Sequence, residues 1–87
     1  MKMYDYIVLK MLHNQNALNS TFCMSIGQIK ANIDKLRQSS VKTLRRSLKE
    51  LMDKEYIKEG QRDGKYKRYY ITKKGQQTLE EIKNGTD

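Results

Sequence analysis

Apolar positions along the 87-residue chain repeat at helical steps, switch to alternation near residue 56, and return to helical steps near residue 73. Tyr4, Ile7, Val8, Met11 and Leu12 fall three and four residues apart, the spacing that gathers side chains on one helix face. A first amphipathic helix is therefore predicted from residue 3 to about 13, stopped by His13-Asn14-Gln15-Asn16. Residues 14 to 20 are polar and turn-rich, and Thr21-Phe22-Cys23-Met24 is expected to form a brief strand. Ser25, with Gln28 three residues on, fits a capping box in which each side chain satisfies the other's backbone N–H. A second helix is expected from there through Ile26, Ile29, Ile33 and Leu36. Ser39 or Ser40 then caps a third helix opening at Val41. Its stripe of Val41, Leu44, Leu48 and Leu51 spans about 80° of the helix wheel at roughly 100° per residue. That leaves Lys42, Arg46, Lys49 and Asp53 on the opposite side, flanked by Arg45 and Thr43.

After Lys54 the period becomes that of a strand. Tyr56 and Ile57 start one strand, Asp63-Gly64 signals a type I′ turn, and Tyr66 to Ile71 form the return strand. Alternation sets Lys67, Tyr69 and Ile71 on one face and Tyr66, Arg68 and Tyr70 on the other, with Tyr69 and Ile71 expected inward. Thr72 can cap a fourth helix from Lys73 to about Asn84, anchored by Leu79 and Ile82 and stopped by Gly85. The expected fold is α+β and mostly helical, one domain over residues 1–87, in the order helix, strand, helix, helix, two-stranded hairpin, helix.

Charge sharpens this picture. Residues 1–34 carry a balance of +1, residues 35–74 carry fourteen Lys or Arg against five acids, a balance of +9, and residues 75–87 carry −2. The excess sits on the third helix and the hairpin, where it would attract a polyanion and steer its approach. An acidic protein or an anionic membrane surface would respond to the same field. Cys23 is the lone cysteine, which excludes an intramolecular disulfide and points to a reducing compartment. The apolar stretch Ile7 to Leu12 is too short and too polar for a signal peptide or a membrane span, so a soluble cytoplasmic protein is expected.

Catalysis has little support. His13 is the only histidine, Cys23 has no second cysteine or nearby histidine, and there is no P-loop glycine pattern. An enzyme, a metal site and a cofactor are not expected. A basic helix running into a basic ribbon does suit duplex DNA, with the helix in the major groove and the ribbon against phosphates or the minor groove. Candidate contacts are Lys42, Thr43, Arg45, Arg46 and Lys49 on the helix, with Ser39 and Ser40 as phosphate ligands at its start. On the hairpin they are Lys58, Arg62, Lys65, Lys67 and Arg68. Glu50 and Asp53 weigh against groove contact, since they would repel phosphate and could pair with Arg46 and Lys49 along the helix. Solvated edge-strand lysines are the plain alternative for the hairpin. Tyr56, Tyr66, Tyr69 and Tyr70 could stack on bases, but packing in the core and sheet accounts for at least two of them.

Three segments taken together resemble the winged helix-turn-helix transcriptional regulators, specifically the DNA-binding cores of MarR-like and PadR-like proteins. Thr43-Leu44-Arg45-Arg46-Ser47-Leu48-Lys49-Glu50-Leu51 looks like the family's recognition helix, and Asp53-Lys54-Glu55-Tyr56-Ile57 like its exit into the wing. Arg68-Tyr69-Tyr70-Ile71-Thr72-Lys73-Lys74-Gly75 looks like the wing strand that ends in the family's Thr-x-x-Gly helix start. The resemblance covers about Ser25 to Ile82. It implies a sequence-specific regulator of transcription that binds double-stranded DNA, associated with the nucleoid. Two other roles fit the same chain: a winged-helix protein-interaction module, and a plasmid or phage replication or copy-control factor. A homodimer would have the exposed parts of the first and fourth helices available. Glu55 stands where the family usually carries glycine, so the third helix is expected to close without a left-handed cap.

Overall fold

In the computed structural model, residues 1–36, 38–62 and 64–83 are described, Lys83 by its backbone alone. Helix α1 (Met3–Asn14) is followed by strand β1 (Met24–Ser25), helices α2 (Ile26–Asp34) and α3 (Val41–Asp53), strands β2 (Ile57–Glu59) and β3 (Arg68–Ile71), and helix α4 (Lys73–Lys83). The strands form one antiparallel sheet in the order β1-β3-β2. Met24 and Ser25 pair with Tyr69 and Arg68, while Ile57, Lys58 and Glu59 pair with Ile71, Tyr70 and Tyr69. The sheet is thus three-stranded rather than a free two-stranded hairpin, because the segment before α2 adds itself to the outer edge of β3.

The core forms where the apolar faces meet. Val8, Leu9 and Leu12 of α1, Ile29 and Ile33 of α2, and Leu44, Leu48 and Leu51 of α3 pack with Ile57, Tyr69 and Ile71 of the sheet. Each fully buried leucine or isoleucine contributes about 1.5–3 kcal/mol relative to exposure, so this cluster fixes how α3 sits. Asp5 and Ser47 are buried among these apolar residues and hydrogen-bond to each other.

Local capping explains most boundaries. The predicted capping box is present: Ser25 Oγ accepts the Gln28 N–H at 3.3 Å, and Gln28 Oε1 accepts the Ser25 N–H at 3.0 Å. Ser40 caps α3, its Oγ accepting the Thr43 N–H at 3.1 Å. Thr72 Oγ1 accepts the Gly75 N–H at 3.1 Å and donates to the Glu55 carbonyl at 2.7 Å. Gly75 is required at that start for a steric reason: a Cβ there would lie 2.3 Å from the Tyr56 carbonyl oxygen and 2.8 Å from Ile71 Cγ1.

Several expectations are corrected. The first strand begins at Met24, not Thr21, because Asn19 Oδ1 accepts the N–H groups of Thr21 and Phe22 at 2.9 Å each and bends the chain there. Phe22 is left 66% exposed. Helix α2 stops at Asp34, and Leu36 is exposed rather than on the apolar stripe. Val41 lies in the first turn of α3 and faces solvent, while Ser47 takes its place on the buried face through its bond to Asp5. The return strand begins at Arg68 instead of Tyr66. Leu79 packs against the core, but Ile82 is exposed. Of the expected Asp63-Gly64 turn, Asp63 lies outside the described residues, and Gly64 has φ +66°. Asn84 and the Gly85 stop also lie outside them.

The end of α3 does close with a left-handed residue, and that residue is Glu55, at φ +63°. The Tyr56 N–H reaches the Leu51 carbonyl and the Glu55 N–H the Met52 carbonyl, both at 2.9 Å, the paired bonds of a Schellman cap. The exit into β2 therefore has the geometry that glycine usually supplies, held by bonds on both sides and by Thr72.

Candidate nucleic-acid interface

Helix α3 presents its cations along the side away from the core. Lys42, Thr43, Arg45, Arg46 and Lys49 are all exposed, whereas Leu44, Ser47, Leu48 and Leu51 are buried beneath them. The buried stripe therefore orients the basic one. Ser40 is exposed at the helix start and shares a 3.0 Å hydrogen bond with the Thr43 hydroxyl, so both polar groups belong to the cap. Ser39 is turned inward: its hydroxyl is half-buried and 2.7 Å from the Tyr4 hydroxyl, pinning the turn to α1.

The acidic neighbours divide. Glu50 is held by Lys2 at 3.0 Å rather than by Arg46. That hydrogen bond pulls its carboxyl below the usual carboxylate range, opposed by partial desolvation. The pair lies on the α1 edge of α3, leaving Arg46 and Lys49 to solvent. Asp53 remains on the outward face near the helix end.

A groove of about 910 Å³ opens between the start of α2, the outer edge of α3 and the hairpin. Arg45 and Lys49 line it from the helix, and Lys65, Lys67 and Arg68 from the hairpin. Its apolar lining comes from Ile26, Leu48, Met52, Tyr66 and Tyr69, and Asp53 and Glu59 add acidic groups. The charges of Arg45 on α3 and Arg62 on the hairpin both act on the Tyr69 phenol. Burial raises the pKa of that phenol, Glu59 adds to the rise, and the two arginines oppose it. Helix and hairpin cations thus share one concave surface.

The other hairpin candidates differ in setting. Lys58 is exposed on β2, and Arg62 is exposed while 3.8 Å from Glu59. Lys65 lies 5.9 Å from the centre of the exposed Tyr66 ring. Arg68 is different: it is half-buried, and its Nη2 donates to the Cys23 carbonyl at 3.0 Å and to Gln28 Oε1 at 3.3 Å. Of the four tyrosines, Tyr69 is buried, Tyr56 and Tyr70 pack against the core, and Tyr66 alone of these stays outside.

Ser25, Gly27 and Gln28 also line the groove, although they are not among the contacts expected from the sequence. The capping box was the available signal, since it marks a helix start whose leading N–H groups point outward. Among the described residues, no group of three or more His, Cys, Asp or Glu could hold a metal, and no helix is long and apolar enough to cross a membrane.

The winged helix-turn-helix family model matches residues 6–87. The chain belongs to the winged helix-turn-helix family. In that family's vocabulary α2 and α3 are the helix-turn-helix and the β2–β3 hairpin is the wing. A relative, DNA-binding protein TubR of Clostridium botulinum C phage, is 33% identical over 78 residues, covering 90% of this chain and 91% of its own length. No solved structure gives a significant match.

Proposed function

We propose that this winged helix-turn-helix protein binds double-stranded DNA sequence-specifically as a transcriptional regulator, associated with the nucleoid. Helix α3 enters the major groove and the wing follows the backbone or minor groove. The observation that carries the reading is the shared groove, where Arg45 and Lys49 of α3 face Lys65 and Lys67 of the wing. In this reading Lys42, Arg46 and Lys49 approach base edges, where arginine can bond bidentately to guanine and lysine as a point donor. Ser40, Thr43, Lys58, Arg62, Lys65 and Lys67 serve the phosphates, which supply affinity and register. The similarity to a DNA-binding protein supports the DNA half of this proposal.

A two-fold site would be occupied by two copies meeting through α1 and α4, whose exposed apolar residues include Met3 and Ile82. Sedimentation with and without DNA tests that arrangement. A second reading, a phage or plasmid replication or copy-control factor, is favoured by the phage origin of the relative. It uses the same interface and differs in the DNA site bound.

The deciding experiment titrates fluorescent random duplex DNA with the protein at two salt concentrations, alongside an Arg46→Ala, Lys49→Ala double variant. Steep weakening with salt and collapse of binding in the variant support the proposal. Absence of binding at low salt would exclude it and turn attention to protein partners.

A further inference from the structure

We propose that Arg68 is a positioning residue that locks the wing onto the helix-turn-helix, and that it does not itself contact DNA. Its functional consequence rests on the DNA-binding reading above. The chain places Arg68 on β3, directly opposite Ser25 in the antiparallel register. Its guanidinium reaches across that pair to the Cys23 carbonyl and to Gln28 Oε1. Gln28 Oε1 is the same atom that accepts the Ser25 N–H in the capping box. One amino group of the planar guanidinium, Nη2, thus joins the wing strand, the segment leading into α2 and the first turn of α2.

Two further bonds close the node. The Arg68 carbonyl accepts the Gly60 N–H at 2.8 Å, and the next amide, Gln61, donates to the Ser20 carbonyl at 2.9 Å. The root of the wing is therefore closed on itself by Gly60, tied to the loop before β1 through Gln61, and tied to the start of α2 through Arg68. Gly60 fits because a Cβ there would lie 2.9 Å from both Cys23 Sγ and the Ser20 carbonyl oxygen. Lys65 and Lys67 sit beyond this root, so their height over the groove follows from how it is held. Lysine is a poor substitute, because its rotating ammonium lacks the fixed planar placement that aims both N–H groups of Nη2 at these two acceptors.

The test compares the full chain with Arg68→Lys, which keeps the charge, Arg68→Met, which removes it, and Lys67→Ala, which removes an exposed wing cation. A short labelled duplex is titrated across a series of KCl concentrations. Positioning predicts that Arg68→Lys and Arg68→Met both weaken binding about five- to ten-fold, with the slope of log affinity against log salt unchanged. Lys67→Ala should instead lower that slope by about 0.9, as for one lost phosphate contact. Wild-type affinity in Arg68→Lys together with a slope lowered by about 0.9 in Arg68→Met would make Arg68 a phosphate contact and overturn the proposal. Amide hydrogen exchange on the free protein supplies a readout that does not depend on DNA. Exchange at Gly60 and Gln61 should speed by about ten-fold or more in both variants while Leu9 and Leu12 in α1 keep wild-type protection. Unchanged exchange at Gly60 and Gln61 would also overturn it. If the wild-type protein binds no duplex, the DNA reading falls, and the exchange result alone decides whether Arg68 holds the wing.

Discussion

The Ser47 hydroxyl, on the buried face of α3, donates a hydrogen bond to Asp5 Oδ1 in the first turn of α1, 42 residues away in the chain. Both residues are nearly enclosed, Asp5 at 2% and Ser47 at 4% exposure. This bond fixes how the helix that carries the cations rests on α1. Removing it leaves a buried carboxylate short of a donor, which costs more than the bond itself was worth. Ser47→Ala is expected to destabilise the fold by about 1–3 kcal/mol. Urea unfolding followed by circular dichroism measures this; a change below about 0.5 kcal/mol would show that water replaces the hydroxyl.

Glu55 and Gly75 offer opposite tests of the same junction. Glu55 occupies a left-handed conformation that glycine adopts without strain, so Glu55→Gly is expected to raise stability by up to about 1 kcal/mol. Gly75→Ala drives a methyl into the Tyr56 carbonyl and is expected to cost more than about 2 kcal/mol. Thermal melts of the two variants should shift in opposite directions. A lower melting temperature for Glu55→Gly would mean that its carboxylate contributes more than the backbone strain costs.

How much of this was legible in the sequence follows from the range of the interactions. The capping box at Ser25 and the Thr72-x-x-Gly75 start depend on residues three apart and appear where their patterns place them, and of the two serines offered as the α3 cap the structure uses Ser40. The basic face of α3 was legible too, because the apolar stripe fixes the opposite side. Contacts between distant segments were not. Ser47 lies outside the apolar stripe and joins the buried face only where Asp5 meets it, and Arg68 is indistinguishable from the other wing cations until β1 pairs with β3. The closure at Glu55 escaped because nothing in its side chain announces positive φ. It is imposed by the bonds from Tyr56 and Thr72 around it.

Alkaline stability should depend on Tyr69. Burial raises its phenol above the ordinary value of 10.0, so the native state holds this proton longer than the unfolded chain does. A raised folded pKa gives a contribution that is complete below the unfolded value and lost as pH climbs through the folded one. Tyr69→Phe removes the titrating group. The fall in stability above pH 10 should be shallower in Tyr69→Phe than in the wild type, measured by urea unfolding at successive pH values. Parallel curves for the two proteins would assign the alkaline loss to other groups.

Asp53 tests the electrostatics of the groove from the unfavourable side. It lines the same concavity as Arg45, Lys49, Lys65 and Lys67, and it lies on the outward face of α3. A carboxylate in that position repels a phosphate backbone drawn in by the surrounding cations, and the repulsion is screened as salt rises. Asp53→Asn keeps the size and removes the charge. It is expected to tighten duplex binding by about two- to ten-fold at low salt, with the gain shrinking toward physiological ionic strength. Glu50, held by Lys2 on the α1 edge, provides the contrast: Glu50→Gln should alter affinity less than Asp53→Asn does. Equal gains from the two substitutions would indicate a response to net charge alone and no defined approach of DNA to the groove, whereas a gain confined to Asp53 places the backbone along the wing side of α3.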